Sequence, residues 1–429
     1  MFLIPYPSLA WQEITEPACQ TDLKERFTMQ FLHTYSATKK ACYLGYITQA
    51  ITINFSPLLF VRFGQEFGIS LTQISLLIGI NFTIQLLIDL SSAKFLPHVN
   101  LRFISVLTQI FAAAGLVGLA FLPWAFPSPF AGLTIATVLC GMGGGLSEVL
   151  ISPLIEACPS ENKTSSMSFL HSFYCWGQAG LILLAVLFFR FLGIEHWRML
   201  ACLLAAEPIA DALLFAVVPM PEMNEEGGGM PLRRLFGMKL FLCLFVMIAA
   251  AGAAEQVMSQ WASSFAENGL GVDKATGDLL GPCLFALLMG VSRLIGGLIG
   301  GKVSLFVTIP VSSVLCIGSY LLAGLSSQPL LALAGCALCG FSVGVFWPSV
   351  YSLAAKSIPG GGMPMFSILA LAGDVGCLLG PSVAGKIADA NGGNLRVPFL
   401  IATALPAVLL IATICLRALM KQKAPAENE

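Results

Sequence analysis

Charge is what this chain has least of. Of its 429 residues, 10% are Asp, Glu, Lys or Arg, against 57% hydrophobic, and the mean hydropathy is +0.84. A soluble domain carries about 25% charged residues, so composition excludes an ordinary globular protein. Histidine is scarce too: His33, His98, His171 and His196 fall in separate segments without metal-ligand spacing. No metal site is expected, and no cofactor motif is present. The 13 cysteines are scattered singly, and the one close pair, Cys336 and Cys339, lies inside an apolar run where small polarizable side chains pack well. They read as packing, not redox chemistry. A net charge of -1 without a basic block excludes a nucleic-acid partner. The stretch GGLIGGKVS around Lys302 imitates a phosphate loop, but it places Val303 where that loop needs Ser or Thr to hold magnesium. With no catalytic constellation, an enzyme is not expected.

Long apolar runs are what the chain does have. A bilayer core of about 30 Å needs roughly 20 apolar residues per helix, and twelve such runs follow one another, the first centred near Ile53 and the last near Leu409. The expected fold is an all-α membrane protein of twelve transmembrane helices in two six-helix pseudo-symmetric bundles, monomeric, with the lipid bilayer as its solvent. The start of the chain lacks a basic segment, apolar core and small-residue cleavage site, so it does not read as a signal peptide. Met29 offers a second, more compact beginning. With the N-terminus inside, sixteen of the 22 basic residues fall on the cytoplasmic side, leaving Arg62, Arg190, Arg198, Lys274, Lys386 and Arg396 outside. Positive charge is retained in cytoplasmic loops, so both termini are expected in the cytoplasm, with the protein in the plasma membrane.

The longest polar connection, MPEMNEEGGGMPLRR, combines Pro, Gly and mixed charge and falls between the sixth and seventh runs. The expected organisation is a cytoplasmic tail over 1–40, a six-helix bundle over 41–219, a cytoplasmic linker over 220–235, a second bundle over 236–420 and a tail over 421–429. An offset of 199 residues lays Cys140, Gly141, Gly145 and Gly177 on Cys339, Gly340, Gly344 and Gly376 without a gap. Such a repeat is expected of two halves related by an axis along the membrane normal.

An ionisable residue at membrane depth costs at least about 2.5 kcal/mol and is a functional hypothesis by default. Glu148 stands alone after Gly141, Gly143, Gly144 and Gly145, small residues that let neighbouring helices approach. It either lines a central cavity or bonds to a neighbouring helix. Glu255 follows small residues in the seventh run, one turn before Ser259. Trp261 offers a flat face that suits a sugar ring, or an interfacial anchor. Asp374 in the eleventh run is a further candidate. His171, with Trp176 and Gln178 following it, is a polar group of the fifth run. Glu207 and Asp211 share a helix face and are expected to pair with Arg190 or Arg198 as a structural feature. Asp89 and Lys94 end the second run, and Arg293 and Lys302 the eighth, where charges would gate the halves.

On GGGLSEVLISP, LHSFYCWGQ and AAGAAEQVMSQW, residues 41 to 420 resemble the major facilitator superfamily, and within it the fucose:proton symporter (fucose permease-like) group. The resemblance implies that Glu148 helps bind sugar and couple protons, and that His171 occupies a substrate-binding position. It places Asn54 where that group has a proton-coupling aspartate. The superfamily's loop signature after the second span is reduced to DLSSAKFLPHVNLR, and the fifth span lacks a Gly-Pro antiporter signature, which favours import over drug-proton exchange. The expected function is secondary active transport of a small polar solute, a sugar above all, by alternating access with H+ or Na+ as coupling ion. The alternatives are an efflux transporter for amphipathic compounds and a non-transporting membrane receptor; the loops hold no extramembrane domain that a receptor would use.

Overall fold

The structure, a computed structural model, describes residues 34–95, 99–159, 163–221, 230–299 and 303–423. Most of the two tails and half of the 220–235 linker, together with His33, His98 and Lys302, lie outside them. So does the side chain of Lys94.

Twelve helices are long and apolar enough to cross a membrane. In chain order they are α1 (Tyr35–Phe67), α2 (Leu71–Ser91), α3 (Leu101–Ala125), α4 (Pro129–Ile155), α5 (Phe169–Leu192) and α6 (Ile194–Val217) in one half. The other half holds α7 (Lys239–Gly269), α8 (Lys274–Gly296), α9 (Leu305–Leu325), α10 (Pro329–Ser357), α11 (Pro364–Ala390) and α12 (Arg396–Gln422). Helix is the form these runs take because a backbone in lipid must satisfy its own hydrogen bonds. Starts are marked by Asn100, whose side chain accepts from the Phe103 amide, and by Pro at the first turns of α4 and α10.

The two halves pack alike. The pairings α3–α4, α2–α4, α1–α5 and α3–α6 recur as α9–α10, α8–α10, α7–α11 and α9–α12. Glycines set this register. A Cβ on Gly141 or Gly145 would press on α2 at Asn81 or Gln85, and one on Gly340 or Gly344 would press on α8 at Phe285 or Met289. Gly177 meets Ile47 of α1, and Gly376 meets Ala249 of α7. Every glycine matched at 199 residues therefore faces the equivalent helix, so the repeat read from the sequence is the repeat of the fold.

Close approach of this kind cannot absorb a methyl group. Gly376→Ala would drive its Cβ into the Ala249 carbonyl and the Ala253 amide, which are backbone and cannot swing aside. A loss of about 1–3 kcal/mol is expected from such overpacking. Gly180 of α5 has open space around it, and Ala there should be neutral or slightly stabilising because it favours the helix. Thermal unfolding of the two purified variants checks the contrast; equal behaviour would refute it.

Helices α6 and α12 share a break. The first is interrupted between Trp197–Leu204 and Ala206–Val217, the second between Arg396–Ala402 and Ala404–Lys423. Pro208 and Pro406 each follow the interruption by three residues; proline lacks the N–H that would continue the helical ladder.

The halves meet along α2–α11 and its counterpart α5–α8. On the face away from the linker, here the far side, the seam is shut. Thr72 bonds to Asp389, Gly79 lies against Ser382, and the rings of Phe60 and Trp261 stand 5.6 Å apart.

Candidate functional site

The four glycines before Glu148 do different things. Gly143 lies on the backbone of Ala112 in α3, Gly144 next to the Thr52 hydroxyl of α1, and Gly141 and Gly145 on α2. One stretch of α4 thus touches three helices, which makes α4 the centre of its bundle. Glu148, the next polar turn, emerges half-buried at the seam. Its Oε2 accepts a 3.1 Å hydrogen bond from Gln49 Nε2 of α1.

Other acids converge there from the second half. Glu148 is in electrostatic reach of Asp374 of α11 and Glu255 of α7. Asp374 is also in electrostatic reach of Asp89 of α2. Tyr351 of α10 is in electrostatic reach of Asp374, Glu148, Asp89 and Tyr46 together. Tyr46 of α1 shares a 2.7 Å hydrogen bond with Ser152 and takes the edge of the His171 ring at a centroid distance of 5.3 Å. His171 is exposed although it stands among these groups at the seam.

Against four carboxyls stands one guanidinium among the described residues. Arg293 Nη2 lies 3.5 Å from Glu255 Oε2, and the two side chains are only 15% and 7% exposed. Arg293 also donates to the carbonyls of His171 and Gly344 and to Cys175 Sγ, so it ties α7, α5 and α10 to α8. Arg293 and Asp89 lie near the ends of α8 and α2, and both reach the other half there, Arg293 toward α5 and Asp89 toward Asp374 of α11.

Above these groups, toward the far side, a buried polar chain crosses the seam. Gln178 Nε2 donates to Ser259 Oγ at 3.1 Å, Ser259 Oγ donates to Asn54 Oδ1 at 3.2 Å, and Asn54 Nδ2 donates to Tyr174 Oη at 3.1 Å. Asn54 and Gln178 are therefore committed to each other's neighbours in this state. Trp261 is fully buried, with Nε1 donating to the Pro381 carbonyl at 3.0 Å. It presents no free face, and neither sequence expectation for it, sugar platform or interfacial anchor, describes this placement. It seals the far side because Gly385 leaves room for its ring.

Glu207 and Asp211 are a second correction. Neither pairs with an arginine. Arg198 stacks 4.0 Å over the Trp124 ring and donates to the Ala120 carbonyl, and Arg190 is exposed. The acids turn instead into the first bundle, where Thr48 Oγ1 donates to Glu207 Oε2 at 2.6 Å.

Tyr46, Gln49, Tyr174 and Tyr351 are site residues that sequence reasoning missed. Spacing along the chain could not have exposed them, since Tyr46 and Gln49 come from α1, Tyr174 from α5 and Tyr351 from α10.

Two six-helix halves meeting at a polar, carboxyl-rich seam are the architecture of a membrane transporter built from two repeats. The model of the Major Facilitator Superfamily matches residues 42–365, and the chain belongs to that family. Among solved structures it is similar to a D-xylose–proton symporter, at 12% identity and a TM-score of 0.71 over 89% of this chain and 97% of the other. It is also similar to a bacterial homolog of the human lysosomal transporter Spinster, at 16% and 0.69 over 90% and 97%. The fucose:proton symporter of E. coli follows at 15% and 0.61 over 90% and 99%. These identities speak to the fold alone. No curated protein matches the sequence.

Proposed function

We propose that this protein is a secondary active transporter that imports a small polar solute, a sugar, in symport with a cation. The observation that carries the reading is the convergence of Glu148, Glu255, Asp374 and Asp89 on one seam with Arg293 as the basic side chain among them. Such an excess of carboxyls between packed helices is favoured when cations or protons offset it. A cycle that opens the seam alternately to each side would carry those charges with the solute. Gln49, Tyr46, His171 and Tyr351 supply the mixed donors, acceptors and ring faces that a polyhydroxylated solute uses. The charge asymmetry of the loops supports cytoplasmic termini in the plasma membrane. The symporters of D-xylose and fucose among the similar structures support the same class of cargo.

A thermal-shift screen of the purified protein against sugars, organic acids, amino acids and amphipathic cations tests the substrate class. A solute at about 100 times its Kd adds roughly 2.7 kcal/mol to the stability of the state that binds it. A sugar is expected to raise the melting temperature by several degrees. If amphipathic compounds alone do so, the import reading gives way to efflux.

A further inference from the structure

The central seam leaves two acids unused. Glu207 and Asp211 lie one turn apart on α6, immediately after its break at Ala205, and face α1 and α3 inside the first bundle. Asp211 is 0% exposed, and neither of its oxygens has a hydrogen-bond partner. Gln109 of α3 is also 0% exposed, with both amide atoms unpartnered. The two side chains converge: Gln109 Nε2 lies 3.2 Å and Asp211 Oδ2 3.4 Å from the Cβ position of Gly45 on α1. Thr48, one turn on from Gly45, holds Glu207 by one oxygen and leaves Oε1 without a partner.

Nothing basic faces this group among the described residues. Asp211 is in electrostatic reach of Glu207 on its own helix and of Cys42 on α1, whose other such neighbour is Cys158 after α4. Arg102 of α3 is committed to the Phe215 and Ala216 carbonyls at the end of α6. Two carboxyls, an unpaired amide and a hydroxyl that donates to one of the carboxyls stand in an apolar bundle without a counter-charge among the described residues, which is costly unless a cation occupies the site.

The second half supplies a control. The break of α12 at Thr403 with Pro406 repeats that of α6 at Ala205 with Pro208, a shift of 198 residues, and puts Leu405 and Leu409 where Glu207 and Asp211 stand. Leu409 is fully buried. Counting from the helix starts Leu101 and Leu305, Gln109 corresponds to Ser313, whose hydroxyl is satisfied by the Ile309 carbonyl. The same place in the fold is built without acids, so packing does not require them.

We propose that Glu207, Asp211, Gln109 and Thr48 form a binding site for one monovalent cation, H+ or Na+, inside the first bundle and separate from the central seam. A proton would sit on an Asp211 oxygen; Na+ would take the carboxyl, amide and hydroxyl oxygens, the ligands a hard cation prefers. Either ion adds a titratable or saltable step that does not involve the solute.

The test uses the full-length protein in detergent with no solute added. Melting temperature is followed in one arm as NaCl replaces choline chloride at fixed pH and ionic strength, and in the other as pH falls in choline chloride. The parent should gain several degrees in one arm, and Glu207→Leu/Asp211→Leu, which installs the residues of the other half, should lose that gain. Asp211→Asn should lose it as well and carries the comparison if the leucine pair does not fold. Glu148→Gln can lose at most the share that the central seam contributes and should retain the share that the Glu207 and Asp211 variants lose, which separates the two sites whatever the solute proves to be. A gain in the sodium arm assigns the site to Na+, and a gain confined to the acid arm assigns it to H+. A parent that gains in neither arm, or variants that keep the whole gain, would overturn the proposal.

Discussion

Glu148→Gln protein in liposomes should exchange labelled solute across the membrane yet fail to accumulate it. Gln keeps the shape of the side chain and can still bond to Gln49, whose Oε1 has no other partner and is able to accept from an amide. What it loses is the ability to change charge beside Asp374 and Glu255. One coupled elementary charge across 100 mV is worth about 2.3 kcal/mol, which converts to a concentration ratio of roughly 50-fold. The variant should fall from that ceiling to a ratio near 1, with exchange reduced far less. Running the parent under a pH gradient and a sodium gradient separately identifies the driving ion. Undiminished uphill uptake by Glu148→Gln under the gradient that drives the parent would remove this glutamate from the coupling role.

What the sequence made legible follows from how unusual a residue is in its surroundings. Glu148, Glu255 and Asp374 stand out because a charge inside a 20-residue apolar run is expensive, and the structure brings all three together. Tyr46, Gln49 and Tyr351 did not stand out. Tyrosine and glutamine are common enough in membrane helices that only the meeting of α1, α4 and α10 marks them. Asp89 and Arg293 were visible near the ends of their runs, but counting along a run says nothing about which helix faces a residue, so their neighbours were not. The α2–α11 and α5–α8 contacts that carry them into the seam join opposite halves of the chain. Glu207 and Asp211 failed for a related reason: nearness in sequence suggested Arg190 and Arg198, while the helix face that bears the acids turns toward Thr48 and Gly45. The repeat was the most legible feature, since backbone contact at a glycine restricts the residue type at both copies of a position.

Arg293→Gln should be the most destabilising single change in the seam. The guanidinium neutralises Glu255 and makes hydrogen bonds to α5 and α10, so its removal leaves a nearly buried carboxylate unpaired and cuts ties between the halves. Breaking a buried pair from one side costs about 3–5 kcal/mol, because the partner charge remains without compensation. Arg293→Lys should recover little, as an ammonium cannot reproduce the planar fork that reaches Glu255, Gly344 and Cys175 at once. Glu255→Gln/Arg293→Gln removes both charges and leaves two neutral amides, so it should be more stable than Arg293→Gln alone by at least about 1 kcal/mol, within the coupling range of contacting residues. The rescue distinguishes an electrostatic role from simple loss of packing, which a second truncation would only worsen. Thermal unfolding of the parent, Glu255→Gln, Arg293→Gln and the double variant in one detergent measures the cycle. If the double variant melts at or below Arg293→Gln, the pair is not what holds this part of the seam, and the hydrogen bonds of Arg293 to His171 and Gly344 must carry its contribution instead.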